Sequence, residues 1–247
     1  MGGVSTAFLL SLLAASCAGT PLARRGGVGG TILRGRASGA AATRAFFDGL
    51  FELKRQRLPN DVREEIKTQL REACRETRPN GINASPTQRA KVNDLVDVLE
   101  GANPTGRPAL SPLMYGFWRM LYTDFSPAAP SSGQLGPFVG DVYQDLSEGI
   151  IKNILVIPPL LKGALVANQR VRDPNTWEIE FDRVGNMLGP FKLPTKQFEP
   201  GDQIRLWEIV YLDDDLRIMR ARRAEKDSME SFVFVLERDA SSVEVDV

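Results

Sequence analysis

Histidine is absent from the 247 residues. With it go the Ser-His-Asp and Cys-His nucleophile pairs, the HExxH zinc helix and every imidazole general base. Cysteine is scarce. Of the two present, Cys17 lies in an apolar N-terminal stretch and Cys74 in a helical pattern. If that stretch is a leader, Cys74 is the one thiol left, so neither an intramolecular disulfide nor a cysteine metal cluster is expected. A membrane-length apolar run is also missing. The most apolar part beyond the N-terminus, IIKNILVIPPLLKGALVA from Ile150 to Ala167, is interrupted by Lys152, Asn153, Pro158, Pro159 and Lys162, which excludes a spanning helix. Its Pro158-Pro159-Leu160-Leu161 centre reads as a turn, either buried or dipping into a lipid surface. A basic excess is lacking too. Residues 1–44 hold Arg24, Arg25, Arg34, Arg36 and Arg44 and no acid, which leaves 26 of the 31 basic residues against all 31 acidic ones in residues 45–247. A chain segment of net charge about −5 has no general field for phosphate backbones, so no nucleic-acid partner is expected.

What is present begins with a composition boundary. Val4 to Ala18 has the length of a signal-peptide apolar region and ends in Ser16-Cys17-Ala18, a small-residue cleavage pattern. Residues 19–44 then turn to Gly, Ala, Ser, Thr and Arg, the composition of an organellar transit segment. Residues 1–44 thus read as a two-part targeting leader, of the sort that directs a chain into plastids bounded by extra membranes. Gly26 to Gly30 superficially suggests a phosphate loop, but it lacks the preceding strand and following helix that such a loop needs and reads as flexible leader. Asn83-Ala84-Ser85 matches a glycosylation sequon, which a path through the endoplasmic reticulum would expose to modification.

The rest divides into helices and strands. Residues 45–112 read as a helical segment and connection. Val62, Ile66 and Leu70 form a stripe behind an Asn60 or Asp61 cap, and Val92, Leu95, Val96 and Leu99 form a second behind the capping box Ser85-Pro86-Thr87-Gln88. Two Pro/Gly-rich connections come next, 101–112 and 124–140, the second long enough for a functional loop. From there the period is two. Trp177, Ile179 and Phe181 alternate with Glu178, Glu180 and Asp182, the pattern of a strand with one dry and one wet face. Further strands are expected at 139–146, 150–157, 164–172, 191–193, 206–212, 216–221 and 232–238, none separated by a helix-length pattern, so the sheet should be antiparallel.

Two phrases carry more. GFWRMLYTD at Gly116 to Asp124 reads as a strand with Trp118, Met120 and Tyr122 on one face. YLDDDLRIMR at Tyr211 to Arg220 reads as strand, acidic turn and strand, and FVFVLER at Phe232 to Arg238 closes the sheet. Asp213-Asp214-Asp215 is taken as a solvated turn, since neighbouring strand side chains point to opposite faces and Asp is a common turn residue. Together these phrases resemble the plastid lipid-associated protein family, also called fibrillins or plastoglobulins, over about Phe46 to Arg238. That resemblance implies a mainly β fold, N-terminal helices followed by a lipocalin-like antiparallel β-barrel over 113–240. It implies no enzyme and no cofactor, but a hydrophobic small-molecule partner such as a carotenoid, quinone or fatty acid, at the surface of thylakoids or plastoglobules. A structural coat or scaffold of plastid lipid particles, without a specific ligand, is the alternative.

An eight-stranded barrel has room for filling side chains or for one small ligand. A ligand pocket needs apolar walls and a few polar groups, and Tyr122, Tyr143, Asn153 and Tyr211 interrupt otherwise apolar strand patterns. With Trp177 and Phe181 they form the candidate site; satisfied core hydroxyls and amides are the competing reading. Gly116-Phe117-Trp118 matches the first lipocalin strand, in which an Arg from a late strand often packs across the Trp. Arg217 and Arg220 are the candidates for closing the barrel against Trp118 in this way.

Overall fold

The computed structural model describes residues 58–125, 130–159, 161–224, 230–241 and 243. The leader expected over 1–44 and the start of the helical segment lie outside the described residues.

Helix α1 spans Asn60–Glu76 and α2 spans Pro86–Gly101. The cap expected of Asn60 or Asp61 does not form. Pro59 takes the N-cap position with φ −52° and no side-chain hydrogen bond, because its ring already holds the dihedral that a first turn requires. Asp61 instead sits in the first turn, where the exposed N–H groups favour an anion. The capping box of α2 is formed: Gln88 N donates to Ser85 Oγ at 3.3 Å and Ser85 N to Gln88 Oε1 at 2.9 Å.

Eight long strands come after the helices: β1 Gly116–Thr123, β2 Asp141–Ser147, β3 Ile150–Ile157, β4 Leu161–Val171, β5 Thr176–Leu188, β6 Ile204–Leu212, β7 Leu216–Arg223 and β8 Ser231–Arg238. Each pairs antiparallel with the next in the chain, and β8 returns to pair with β1. The sheet is a closed up-and-down barrel, lipocalin-like, with no free edge among its long strands. A small hairpin, Gln134–Leu135 with Phe138–Val139, lies in the β1–β2 connection, and two-residue pieces at Phe191–Lys192 and Lys196–Gln197 extend β5.

The barrel has an apolar face on each side of its wall. Inside, Trp118, Met120, Leu146, Ile151, Leu155, Trp177, Ile179, Phe181, Trp207, Met219, Phe234 and Leu236 form one core. Outside, Val210, Leu216, Ile218, Val233 and Val235 form a second with Ile66, Leu70, Cys74, Val92, Leu95 and Leu99 of the helices. The alternation Phe232-Phe234-Leu236 against Val233-Val235 thus serves two cores at once. Where β1 starts, short helical turns at Pro108–Leu110 and Pro112–Met114 plug the barrel: Trp118 Nε1 donates to Met114 O at 3.0 Å and Trp177 Nε1 to Ala109 O at 2.7 Å.

Two bulges move side chains from one core to the other. The β1–β8 register shifts between Met120 and Tyr122, and the β6–β7 register between Ile209 and Tyr211. One extra residue in each strand, Leu121 and Val210, reverses the facing of the residues beyond it. Tyr122 therefore leaves the face of Trp118 and Met120 expected of strict alternation and joins the outer core, as does Tyr211.

Candidate functional site

The inner wall is mostly apolar; besides Thr123, Gln169, Arg205, Arg223 and Arg238, four polar side chains on it define the site. Inward positions can be traced through the register: Trp118 lies opposite Gln144, Gln144 opposite Asn153, and Asn153 opposite Leu165. Gly163 lies opposite Asn186, and Arg217 opposite both Leu212 and Leu236. Gln144, Asn153, Asn186 and Arg217 thus face the interior. None of the described inward positions of the eight strands carries an Asp or Glu.

These groups are poorly satisfied. Among the described residues eight buried side-chain atoms lack a partner, and five belong to this set: Asn153 Oδ1, both amide atoms of Asn186, and Nε and Nη1 of Arg217. Native interiors rarely tolerate such atoms, so their clustering on one surface needs a cause. Gly163 leaves space for Asn186, since a Cβ there would fall 2.4 Å from Asn186 Oδ1. Asn153 and Leu165 face inward in mid-strand and keep part of their surface accessible.

Arg217 is 0% exposed and lies 4.8 Å from the Trp118 ring centre, donating through Nη2 to Gln144 Oε1. Burial, helped by the nearby Arg238 cation, pulls its guanidinium down to about 9, so it remains charged at pH 7. Arg238 stacks on the same indole at 4.2 Å and donates to Asp214 O at 2.6 Å, Tyr115 O at 3.0 Å and Leu113 O at 2.7 Å. It ties the plug at 112–115 to the closing strand.

Arg220 sits elsewhere. It points outward and bonds Asp97 at 2.9 Å and Glu100 at 3.0 Å, fastening α2 to the barrel. Trp177 and Phe181 are inside; Phe181 meets Phe198 edge to face at 5.9 Å and has Arg205 over its ring at 5.2 Å. The three tyrosines do not reach the interior. Tyr143 stacks on Phe117 outside the barrel at 5.3 Å, Tyr122 lies under the helices with an unpartnered hydroxyl, and Tyr211 donates to Asp213 Oδ2 at 2.6 Å. Of the residues singled out as the pocket, the structure thus places Asn153, Trp177 and Phe181 on the inner wall and leaves Tyr122, Tyr143 and Tyr211 outside.

Gln144, Asn186 and Arg238 went unnoticed in the sequence. One more step of the 232–234–236 alternation reaches Arg238, so its signal was there. Asn186 lies beyond the alternation that ends at Asp182, because Asp182 is the extra residue of a bulge after which β5 runs on to Leu188. The acidic hairpin also differs from a solvated turn. Asp213 receives Lys67 Nζ at 2.8 Å and Asp215 receives it at 2.5 Å, with the Lys67 side chain only 4% exposed. A separate cleft of about 310 Å³ opens outside the barrel beside Arg78, Asn80, Val139 and the Arg119–Asp141 ion pair. Its charged lining does not suit an apolar ligand.

The PAP_fibrillin family model matches residues 64–227, which takes in most of α1, all of α2 and seven of the eight strands. The chain belongs to that family. Plastid lipid-associated protein 1, chloroplastic, of Brassica campestris is 26% identical over 216 residues, covering 66% of this chain and 64% of the relative. The chain thus spans less than two thirds of that relative's length. The matched region contains Trp118, Gln144, Asn153, Asn186 and Arg217, and stops short of Arg238.

Proposed function

We propose that this PAP_fibrillin member is a plastid lipid-associated protein whose barrel takes up one hydrophobic small molecule with a polar head. The observation that carries the reading is the set of unpartnered polar atoms on a mostly apolar inner wall. A barrel filled for structure alone has no use for five of them, whereas a ligand head would satisfy several at once. The family and the relative's name support the lipid association and the plastid. The polar groups of the site are amides and a guanidinium, which hold a ligand but are poor proton carriers at neutral pH, so the reading is of binding and not catalysis.

A lipid-particle coat without a specific ligand is the second reading, and one observation favours it. At the barrel end away from the plug, Phe138, Val139, Leu188 and Phe191 are exposed, Phe191 by 70%, close in sequence to Lys192 and Lys196. Such a rim suits the surface of a thylakoid or plastoglobule. The readings separate by fluorescence, since Trp118, Trp177 and Trp207 all line the interior. A carrier should show saturable quenching of these indoles by a quinone or carotenoid, and native mass spectrometry should find a stoichiometric lipid. No saturable quenching and no extractable lipid, in a protein that still floats with lipid droplets, would leave the coat.

A further inference from the structure

Arg217 carries a charge that no described residue inside the barrel balances. It is fully buried, two of its three nitrogens are unpartnered, and the inner wall offers no carboxylate among the described residues. Its nearest charged neighbour is a second cation, Arg238, over the same indole. A buried ion without a counter-ion is strongly unfavourable unless something supplies one.

Closing the barrel does not account for it. Arg238 already stacks on Trp118 and spends its donors on three backbone carbonyls of the plug and the β6–β7 turn. Among the described residues, the Arg217 side chain bonds no backbone group. Its one partner, the Gln144 amide oxygen, fixes the guanidinium's direction without neutralising it. Because Nη2 bears two N–H groups and Gln144 takes one, one fork of the guanidinium stays open, either Nε with Nη2 or Nη1 with Nη2. That fork matches the two oxygens of a carboxylate. Arg217 is the one fully buried cation on the described inner wall, so a monoanion balances it, whereas a doubly charged phosphate would bring in a charge of its own to bury. Apolar inner residues run from this point along Leu146, Ile151, Leu155 and Leu165.

We propose that Arg217 is the receptor for the carboxylate head of a long-chain carboxylic acid, held by the open fork of the guanidinium and oriented through Gln144, with the chain lying along the apolar inner wall. The assignment rests on the reading that the barrel holds a ligand and adds the chemical class of its head.

The test titrates the full chain at pH 7 with cis-parinaric acid and, separately, with its methyl ester, reading energy transfer from the interior tryptophans. The two probes share a chain and differ in charge. The acid should bind about 10- to 150-fold tighter, the range of one hydrogen bond to a charged group. Arg217→Gln should remove most of that preference. The wild-type ratio needs no variant, so it decides the matter even where Arg217→Gln fails to fold by near-ultraviolet circular dichroism. Equal affinity for acid and ester, or a preference for the ester, overturns the carboxylate assignment and leaves the barrel as a binder of neutral lipids. No saturable transfer with either probe overturns both.

Discussion

Lys67 shows how one side chain sets both the docking of a helix and the acid limit of the fold. It leaves α1 almost fully covered and meets Glu64 at 3.0 Å as well as Asp213 and Asp215 of the β6–β7 turn. Burial by itself would lower its pKa, but the hydrogen bonds to these carboxylates outweigh it and the ammonium is raised. Burial likewise acts to raise Asp213, and the bonds from Lys67 and Tyr211 more than reverse it, bringing the carboxyl down to about 2. A carboxyl depressed in the folded state adds stability above its unfolded value near 3.8, and that stability is lost as pH falls from about 4 towards 2. The amount is about 2 kcal/mol. Lys67→Met should cost about 3 kcal/mol at pH 7, since it leaves Asp213 enclosed beside a hydrocarbon. It should also flatten the acid-dependent loss, and urea melts at pH 7 and pH 3 on both proteins check both parts. A variant as stable as wild type at pH 7 would mean that the turn is solvated after all.

At the scale of elements, the connection between α1 and α2 is held against β1 by backbone alone. Gly81 has φ +84°, and a Cβ on it would come within 2.5 Å of Thr123 O and 2.7 Å of the Tyr122 ring, while Asn80 O accepts from Thr123 N at 3.0 Å. Gly81→Ala should therefore cost about 2 to 4 kcal/mol, the left-handed penalty plus a clash that neither backbone nor a buried ring can relieve. Gly189, at φ +57° with nothing within 4 Å, serves as the control: Gly189→Ala meets only the conformational term, roughly 1 kcal/mol. Thermal melts of the two variants should differ accordingly, and equal shifts would mean that the helical connection does not press on β1. Contacts of this kind, made across the fold, are the part that the sequence withheld. The strands were legible because each inward face is a run of large apolar residues at period two, and Trp177-Ile179-Phe181 sits inside as that period requires. Tyr122 and Tyr211 were not, because a bulge is one residue long and leaves no mark in an alternation read over eight; Tyr143 lies outside by plain alternation with the inward Val142 and Leu146. Arg217 was legible as a partner of Trp118, but its want of a counter-ion depends on what seven other strands do not carry.

For the whole molecule, the division between a helical segment and a barrel is visible in the chain and yet does not mark two independent bodies. The helices cover an outer barrel face made of Tyr122, Val210, Tyr211, Leu216, Ile218, Val233 and Val235, every one of them 7% exposed or less. The barrel wall there is apolar on both sides, which is why these strands read as nearly continuous hydrophobic runs. Uncovering side chains of this size costs about 1.5 to 3 kcal/mol each, and seven together, about 10 to 21 kcal/mol, match or exceed the roughly 5 to 15 kcal/mol that holds a typical domain folded. A fragment beginning at Leu113 should therefore fail to stand alone, although it contains every strand of the barrel. It should bind a dye specific for exposed apolar surface, such as ANS, and aggregate, while the chain with its helices should unfold in one step, with far-ultraviolet dichroism and tryptophan emission changing together. The three tryptophans lie inside the barrel and the helices outside it, so the two signals report the two layers separately. If the fragment stays monomeric and melts cooperatively, or if the helical signal is lost well before the tryptophan signal, the helices are a detachable cover and the barrel's stability comes from its inner core alone.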